Sequence, residues 1–297
     1  MLSTSSSEDV IVTERDVEEY WERGYWISPK LLSDAQIERL NRAHERIWSG
    51  EIDGEGYFYE GKPLDRATSP LAVRKMVNGW WINDEVRDLV TSTLLGKIGC
   101  ALMKTPACRL WHDQVIEKPG SGSNIETRVG NVGWHQDYAY WQVSDTTNMV
   151  TAWVALQDTT LTNGAMMTLV YSHRWGLVEE SSTFKEQNLS ELRAQFERYA
   201  KTEWLEEPCI LRAGQASFHH GLCFHASGPN HSDQPRRCVT AHLMPDATAY
   251  RPGRYHTNVR LLGPRPYAGQ KFDNAYFPLM ENLRYEAELN GMGQSPR

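Results

Sequence analysis

The order of apolar and polar positions divides the chain into two regimes. Up to about residue 97, apolar side chains recur at helical spacing between recognisable caps. Thr13 is placed as the N-cap of a short helix that stops near Gly24, and Tyr25-Trp26-Ile27 follows as a strand. Ser33 with Gln36 forms a capping-box pattern before a second helix, with Ile37, Leu40 and Ile47 on one face and Gly50 after its end. Asn83 caps a third helix over 84–96, which turns Val86, Leu89, Val90 and Leu94 inward. From about residue 100 the rhythm changes to short β-type segments separated by turn chemistry. Strands are predicted over 108–117, 133–138, 149–156, 165–170, 208–212, 216–219, 222–226 and 237–244, with Asn163-Gly164 as a tight turn. One helix, 190–203, interrupts them, carrying Leu192, Phe196 and Tyr199 on a common face. Residues 246–297 show no period and are expected to wrap the body. The pattern is mainly β with flanking α: a barrel or sandwich core (100–245) buttressed by N-terminal helices (13–97), read as one domain over 1–297.

Composition narrows the function classes. The 297 residues carry 31 basic and 38 acidic side chains, a net charge of −7, with no dense Lys/Arg block. Nucleic acid and an anionic membrane surface are therefore not expected as partners, and no apolar run reaches the roughly 18 residues of a membrane span. The 5 cysteines are scattered and never form C-x-x-C, which argues against a disulfide framework or zinc ribbon. With no apolar leader in MLSTSSSEDV, the expected compartment is the cytoplasm. A small-molecule partner is expected, and pairing into a homodimer stays open.

The candidate chemistry starts at Gly133-Trp134-His135-Gln136-Asp137. On an extended segment, positions i and i+2 project to one side, so His135 and Asp137 can present an imidazole nitrogen and a carboxylate oxygen to one metal ion. A third ligand is available in Phe218-His219-His220-Gly221-Leu222-Cys223-Phe224-His225-Ala226-Ser227-Gly228-Pro229-Asn230. His225 is preferred because it ends an apolar strand before a tight turn, whereas the adjacent His219 and His220 must point opposite ways and read as structural. Two histidines and one carboxylate leave one metal face open, which suits non-haem Fe(II) and O₂ rather than a closed zinc site. Arg236-Arg237 then opens a strand. One of the two can hold the far carboxylate of a 2-oxo acid in the bidentate manner that favours Arg; a solvated strand end is the other reading.

The runs TRVGNVGWHQDYAYW, TAWVALQDTTLTNGAMMTLVYSHRWG and FHHGLCFHASGPNHSDQPRRCVTAHL together resemble the phytanoyl-CoA dioxygenase family of Fe(II)/2-oxoglutarate oxygenases, over roughly residues 10–245. The resemblance implies a double-stranded β-helix, a cupin-like jelly roll. It implies His135, Asp137 and His225 as iron ligands, and Arg236 on the far carboxylate of 2-oxoglutarate with Ser227 assisting. It matches Trp153, Gln114 and, more loosely aligned, Lys75 to further co-substrate contacts. O₂ is the other implied co-substrate, and succinate and CO₂ are the co-products. The chain departs from the family at Val170-Tyr171-Ser172-His173 and at Ala226, near the pocket rather than among the ligands. Asp137 is retained where halogenating relatives carry a small residue, which disfavours halogenation. Trp134, Tyr138, Tyr140 and Trp141 are candidates for a substrate wall, although alternation lets only about half of them face a pocket. Loops 51–70 and 118–132 are candidate lids. No basic cluster suits a CoA tail, so a free small molecule of specialised metabolism is expected, with hydroxylation as the default and desaturation, epoxidation or rearrangement open to the same chemistry. A zinc hydrolase on the same jelly roll and a non-catalytic binding module are the alternatives.

Overall fold

The computed structural model describes residues 12–53, 71–122 and 130–283. The Ser-rich start, residues 54–70 and 123–129 of the two candidate lid loops, and the last fourteen residues lie outside the described residues. The helical part comprises α1 (Glu14–Arg23), α2 (Asp34–Ser49), α3 (Asp84–Val90) and α4 (Thr93–Met103), with the short strands β1 (Tyr25–Ile27) and β2 (Arg74–Val77) between them. The caps of α1 and α2 form as the sequence predicts: Thr13 and Ser33 each accept from the N3 backbone, and Gly24 and Gly50 close the helices at φ 90°. The single helix expected over 84–96 is two helices. Ser92 leaves the helical path and caps α4 through Leu95 N, a local bond that competes with helix continuation.

The β part consists of β3 (Ala107–Lys118), β4 (Val132–His135), β5 (Val150–Ala155), β6 (Met166–Leu169), β7 (Glu206–Pro208), β8 (Ala216–His220), β9 (His225–Ser227), β10 (Arg236–Pro245) and β11 (Leu279–Asn282). The helix α5 (Leu189–Glu197) packs against β4. Among the described residues the major sheet runs β1-β8-β5-β10-β3-β11, with β2 also on β3, and the minor sheet runs β4-β9-β6-β7. All pairs are antiparallel. This is the expected double-stranded β-helix. β2 and β11 had no signal in the alternation: β2 is only 4 residues long, and β11 sits in the stretch that has no period.

The major sheet has two chemically different faces. Val150, Ala152, Val154, Val239, Ala241, Leu243 and Phe218 join the helices in the largest apolar cluster, with Tyr20, Ile47, Val86 and Ile98 opposite them. The intervening residues point to the minor sheet. Register sets them in rows: His112, His242, Thr151 and His219 in one, then Gln114, Thr240, Trp153 and Ser217, then Ile116, Cys238 and Ala155, then Lys118 and Arg236. A bulge at Trp111 keeps the phase, sending that ring into a second cluster with Phe272 and Phe277.

The interior is rich in imidazoles kept neutral. Burial pushes His44, His220 and His242 down to about 3 and His256 to about 4. In the unfolded chain these rings return to a pKa near 6.5 and bind protons that the folded state excludes. Their contribution to stability is therefore full above about pH 6.5 and is lost as pH falls toward the folded values. Asp113, raised to about 7 by burial, works in the opposite direction but is a single group. The midpoint of thermal unfolding should fall steadily from pH 7 to 5; a melting temperature unchanged at pH 5 would contradict this account.

Candidate metal centre

Strand pairing brings the two candidate histidines together. His135 and His225 are register partners of the antiparallel pair β4–β9, and their ring centroids lie 4.1 Å apart. Each Nδ1 donates to the carbonyl two residues back, Gly133 at 2.8 Å and Cys223 at 3.0 Å. That bond fixes the tautomer and leaves Nε2 as the lone-pair nitrogen. Both Nε2 atoms point at Asp137 Oδ1, at 3.6 Å and 3.8 Å. One ligand atom from each of His135, Asp137 and His225 falls within 4.8 Å of the other two, all three residues being buried.

The route to this geometry differs from the expected one. β4 stops at His135, and Asp137 opens a short 3₁₀ turn, Asp137–Ala139, so the pair converges across a strand end rather than along one strand face. His225 begins β9 rather than ending a strand over 222–226. Gln136, between the ligands, is fully buried and bonds in four directions. Its Nε2 donates to Gly176 O and Leu222 O, both at 2.8 Å, and its Oε1 accepts from Val178 N at 2.8 Å and Ser181 Oγ at 3.0 Å.

The other oxygen of Asp137 rests on the major sheet. Thr151 Oγ1 donates to Oδ2 at 2.6 Å and His219 Nε2 approaches it at 3.3 Å. With its proton on Asp137, Thr151 Oγ1 accepts from His242 Nδ1 at 2.8 Å, and Thr240 Oγ1 lies 3.2 Å from His242 Nε2. Burial, opposed by the imidazoles around it, leaves the Asp137 carboxyl well below its usual range, while burial and the neighbouring His135 and His219 rings push His225 well below its own. An ionised carboxylate and a neutral imidazole are the states a metal requires. His219 therefore braces a ligand, a task the sequence reading did not give it. Thr151 and His242 were missed too, yet the signal was present: Thr151 lies two residues before Trp153, and His242 six after Arg236, on the same faces of their strands.

Beyond the triad an inner cavity runs between the sheets, lined by Gln114, Trp153, Ser227 and Arg236 among others. Alternation separates the two arginines. Arg237 points outward to Glu117 Oε2 at 2.9 Å and Glu45 Oε1 at 3.1 Å. Arg236 points inward, 3% exposed, with its guanidinium 5.0 Å from the centre of the Trp153 ring. One Nη donates to Gly164 O at 2.8 Å, in the predicted Asn163-Gly164 turn, while the buried Nε has no partner. Its register partner Lys118 is fully buried and donates to Ser227 Oγ at 2.6 Å and to Gly228 O. Burial lowers both cations from their ordinary values. Among the described residues neither has a carboxylate in ion-pair range, so this end of the cavity holds positive charge that lacks a counter-ion. Buried charge of that kind calls for an anionic ligand.

A larger outer cavity, about 1340 Å³, shares Gln114, His135, Asp137 and Phe184 with the inner one. Tyr140 and Trp141 line it, as do His112 and His256. Lys75 lines this outer cavity rather than the inner one, its Nζ 3.7 Å from the centre of the Phe184 ring and its pKa lowered by burial to about 8. Two substrate-wall candidates are corrected. Trp134 alternates away from His135 and packs with Trp175, Trp204 and Phe196. Tyr138 is buried with Met149 and Leu222, and its hydroxyl donates to Ser144 O at 3.0 Å.

Residues 20–238 match the model of the phytanoyl-CoA dioxygenase (PhyH) family, a span that holds every residue of the triad and Arg236. The chain belongs to the phytanoyl-CoA dioxygenase family. A bovine relative, the peroxisomal phytanoyl-CoA dioxygenase of Bos taurus, is 24% identical over 226 residues, which is 75% of this chain and 66% of that protein, so the match spans slightly less than two thirds of its length. The methylphosphonate hydroxylase of Gimesia maris is 25% identical over 230 residues, covering 77% of this chain and 79% of that protein. Among solved structures, the non-haem alpha-ketoglutarate-dependent carbocyclase SnoK from nogalamycin biosynthesis superposes with a TM-score of 0.68 at 21% identity, covering 91% of this chain and 96% of that one. The family corrects one expectation: its bovine, human, mouse and rat relatives are named as peroxisomal proteins, so scattered free cysteines and the composition of the first ten residues do not place this chain in the cytoplasm. Among the described residues, no helix is long and apolar enough to cross a membrane.

Gly133 ties this centre to its surroundings. A Cβ there would lie 2.1 Å from Thr183 O and 2.9 Å from Glu186 O, while the Gly133 carbonyl orients His135. Gly133→Ala should force β4 away from segment 183–186 and cost about 1–3 kcal/mol. Urea denaturation checks this, and an unchanged midpoint would show that the segment yields without cost.

Proposed function

We propose that the whole chain is one Fe(II)/2-oxoglutarate-dependent oxygenase domain that oxidises a free small molecule, with hydroxylation as the default outcome. The carrying observation is the pairing of an open 2-His-1-carboxylate set with a buried cationic pocket that lacks a counter-ion among the described residues. His135, Asp137 and His225 would hold the metal. Bound Fe(II), with 2-oxoglutarate as electron source and O₂ as oxidant, supplies oxidation of an unactivated C–H bond with release of succinate and CO₂. The remaining work falls to the chain. Arg236 places its unpartnered Nε and its planar fork at the far end of the inner cavity, where it would anchor the distal carboxylate, flattened against Trp153. Ser227, held by Lys118, would donate beside it. Gln114, at the junction of the two cavities, would meet the co-substrate near the metal, and Lys75 would lend positive charge from the outer side. Thr151 and His219 keep the Asp137 carboxylate turned toward the histidines.

The outer cavity would take the substrate, with Tyr140 and Trp141 as an aromatic wall. Its volume exceeds the ~300–1,000 Å³ of common ligand pockets, which favours a multi-ring or extended molecule over a one-carbon phosphonate. The hydrolase alternative leaves Arg236 and its aromatic support without a task, and a binding module has no need of the triad.

Anaerobic addition of Fe(II) and 2-oxoglutarate to the protein should produce a visible metal-to-ligand charge-transfer band. Asp137→Ala should remove it, and Arg236→Ala should weaken 2-oxoglutarate binding by about 30-fold or more, the effect of deleting one partner of a buried charged pair. No band in well-folded, iron-loaded protein would overturn the reading. Thr151→Val should keep the fold and lower Fe(II) affinity by about 10- to 100-fold; titration with Co(II) as a coloured substitute gives the same comparison.

A further inference from the structure

The outer cavity contains two histidines that neither the metal centre nor the co-substrate pocket uses. His112 occupies the inner face of β3 two residues before Gln114, and His256 precedes the 3₁₀ turn Thr257–Leu262. Their rings stack at 25° with centroids 5.7 Å apart. Each is held by a backbone group whose hydrogen-bonding role has only one sense. His112 Nδ1 lies 3.3 Å from Asp113 O, and a carbonyl can only accept, so the proton is on Nδ1 and Nε2 carries the lone pair. His256 Nδ1 accepts from Asn258 N at 3.1 Å, and an amide N–H can only donate, so the neutral ring carries its proton on Nε2. Burial keeps both rings neutral, His256 at about 4 and His112 well below its ordinary value. Among the described residues no hydrogen bond engages either Nε2, and neither atom is among the sealed, unpartnered ones. Both residues line the cavity.

One acceptor and one donor, fixed in opposite senses on stacked rings, complement a group that both donates and accepts. We propose that His112 and His256 together read a hydroxyl group of the substrate: the hydroxyl donates to His112 Nε2 and accepts from His256 Nε2–H, so the chamber selects an alcohol or phenol over the corresponding ether. The ring centroids, 5.7 Å apart, set both rings on one stretch of the cavity wall. Trp141, with its ring centre 5.9 Å from that of His112, and Trp81 add aromatic wall, which suits a hydroxylated ring. A site built to bond a hydroxyl rejects the analogue that lacks it, because its own polar atoms are then left unpaired. The assignment rests on the outer cavity being the substrate chamber of the proposed oxygenase.

The test uses metal-free protein at pH 7.5 without 2-oxoglutarate, so its result is separate from that of the charge-transfer experiment. Fluorescence titrations with 1-naphthol, 1-methoxynaphthalene and naphthalene remove first the donated proton and then the accepting oxygen. The naphthol should bind about tenfold more tightly than the ether, and the ether several-fold more tightly than the hydrocarbon. His112→Phe should level the first step and keep the second; His256→Phe should level the second. Equal affinities for the three probes, no binding of any of them, or preferences unchanged in both variants would overturn the proposal. Nitrogen-15 spectra of the wild-type histidines give a check that needs no variant to fold: His112 protonated on Nδ1 and His256 on Nε2 is the expected result, and the reverse tautomer at either ring would overturn it.

Discussion

Cross-strand register is the constraint on which the rest of the molecule depends. A slip of one residue between β3 and β10 would turn Lys118, Gln114 and His112 from the interior to the helix-covered face, because side chains alternate along a strand. The apolar face makes that slip prohibitive. Val239, Ala241 and Leu243 are packed under the N-terminal helices, so the polar rows facing inward are held in place by what is buried behind them. The helices contribute no group to the centre, yet they determine which residues reach it.

The interior built in this way has a separation of charge. Asp137 supplies the negative end, surrounded by imidazoles, and Lys118 with Arg236 forms the positive end two sheet rows beyond Gln114. An anion that ligates metal at one end and meets a guanidinium at the other satisfies both, and it relieves a cost that the ligand-free fold carries in two buried cations.

Much of this was legible beforehand. H-x-D followed ninety residues later by His225 and then by Arg236 carries the centre because ligand chemistry restricts residue type, and residue type is what a sequence displays. The capped helices α1 and α2 were legible for the same reason. The divided helix at Ser92 was not, since capping and continuation differ there by one local bond. Nor was the burial of Trp134 and Tyr138, which lie beside the ligands in the chain but are sent elsewhere by alternation and by a 3₁₀ turn. Thr151, His219, His242 and Lys118 escaped because their roles are defined by cross-strand partners; even spacing within β3, β5 and β10 marks their faces, and only pairing shows what those faces meet.

The amide between the two ligands bears on how far this protein can vary. Gln136 uses both of its N–H groups and both lone pairs of its oxygen, tying segment 176–181 to Leu222. Glu would present an acceptor where two carbonyls already stand, Asn would fall one carbon short, and Leu would strip Gly176 O, Leu222 O and Val178 N of the bonds that Gln136 gives them. Each of these replacements costs buried hydrogen bonds, so the middle position of the motif is constrained as well as the ligands, and the reason lies in wiring rather than chemistry.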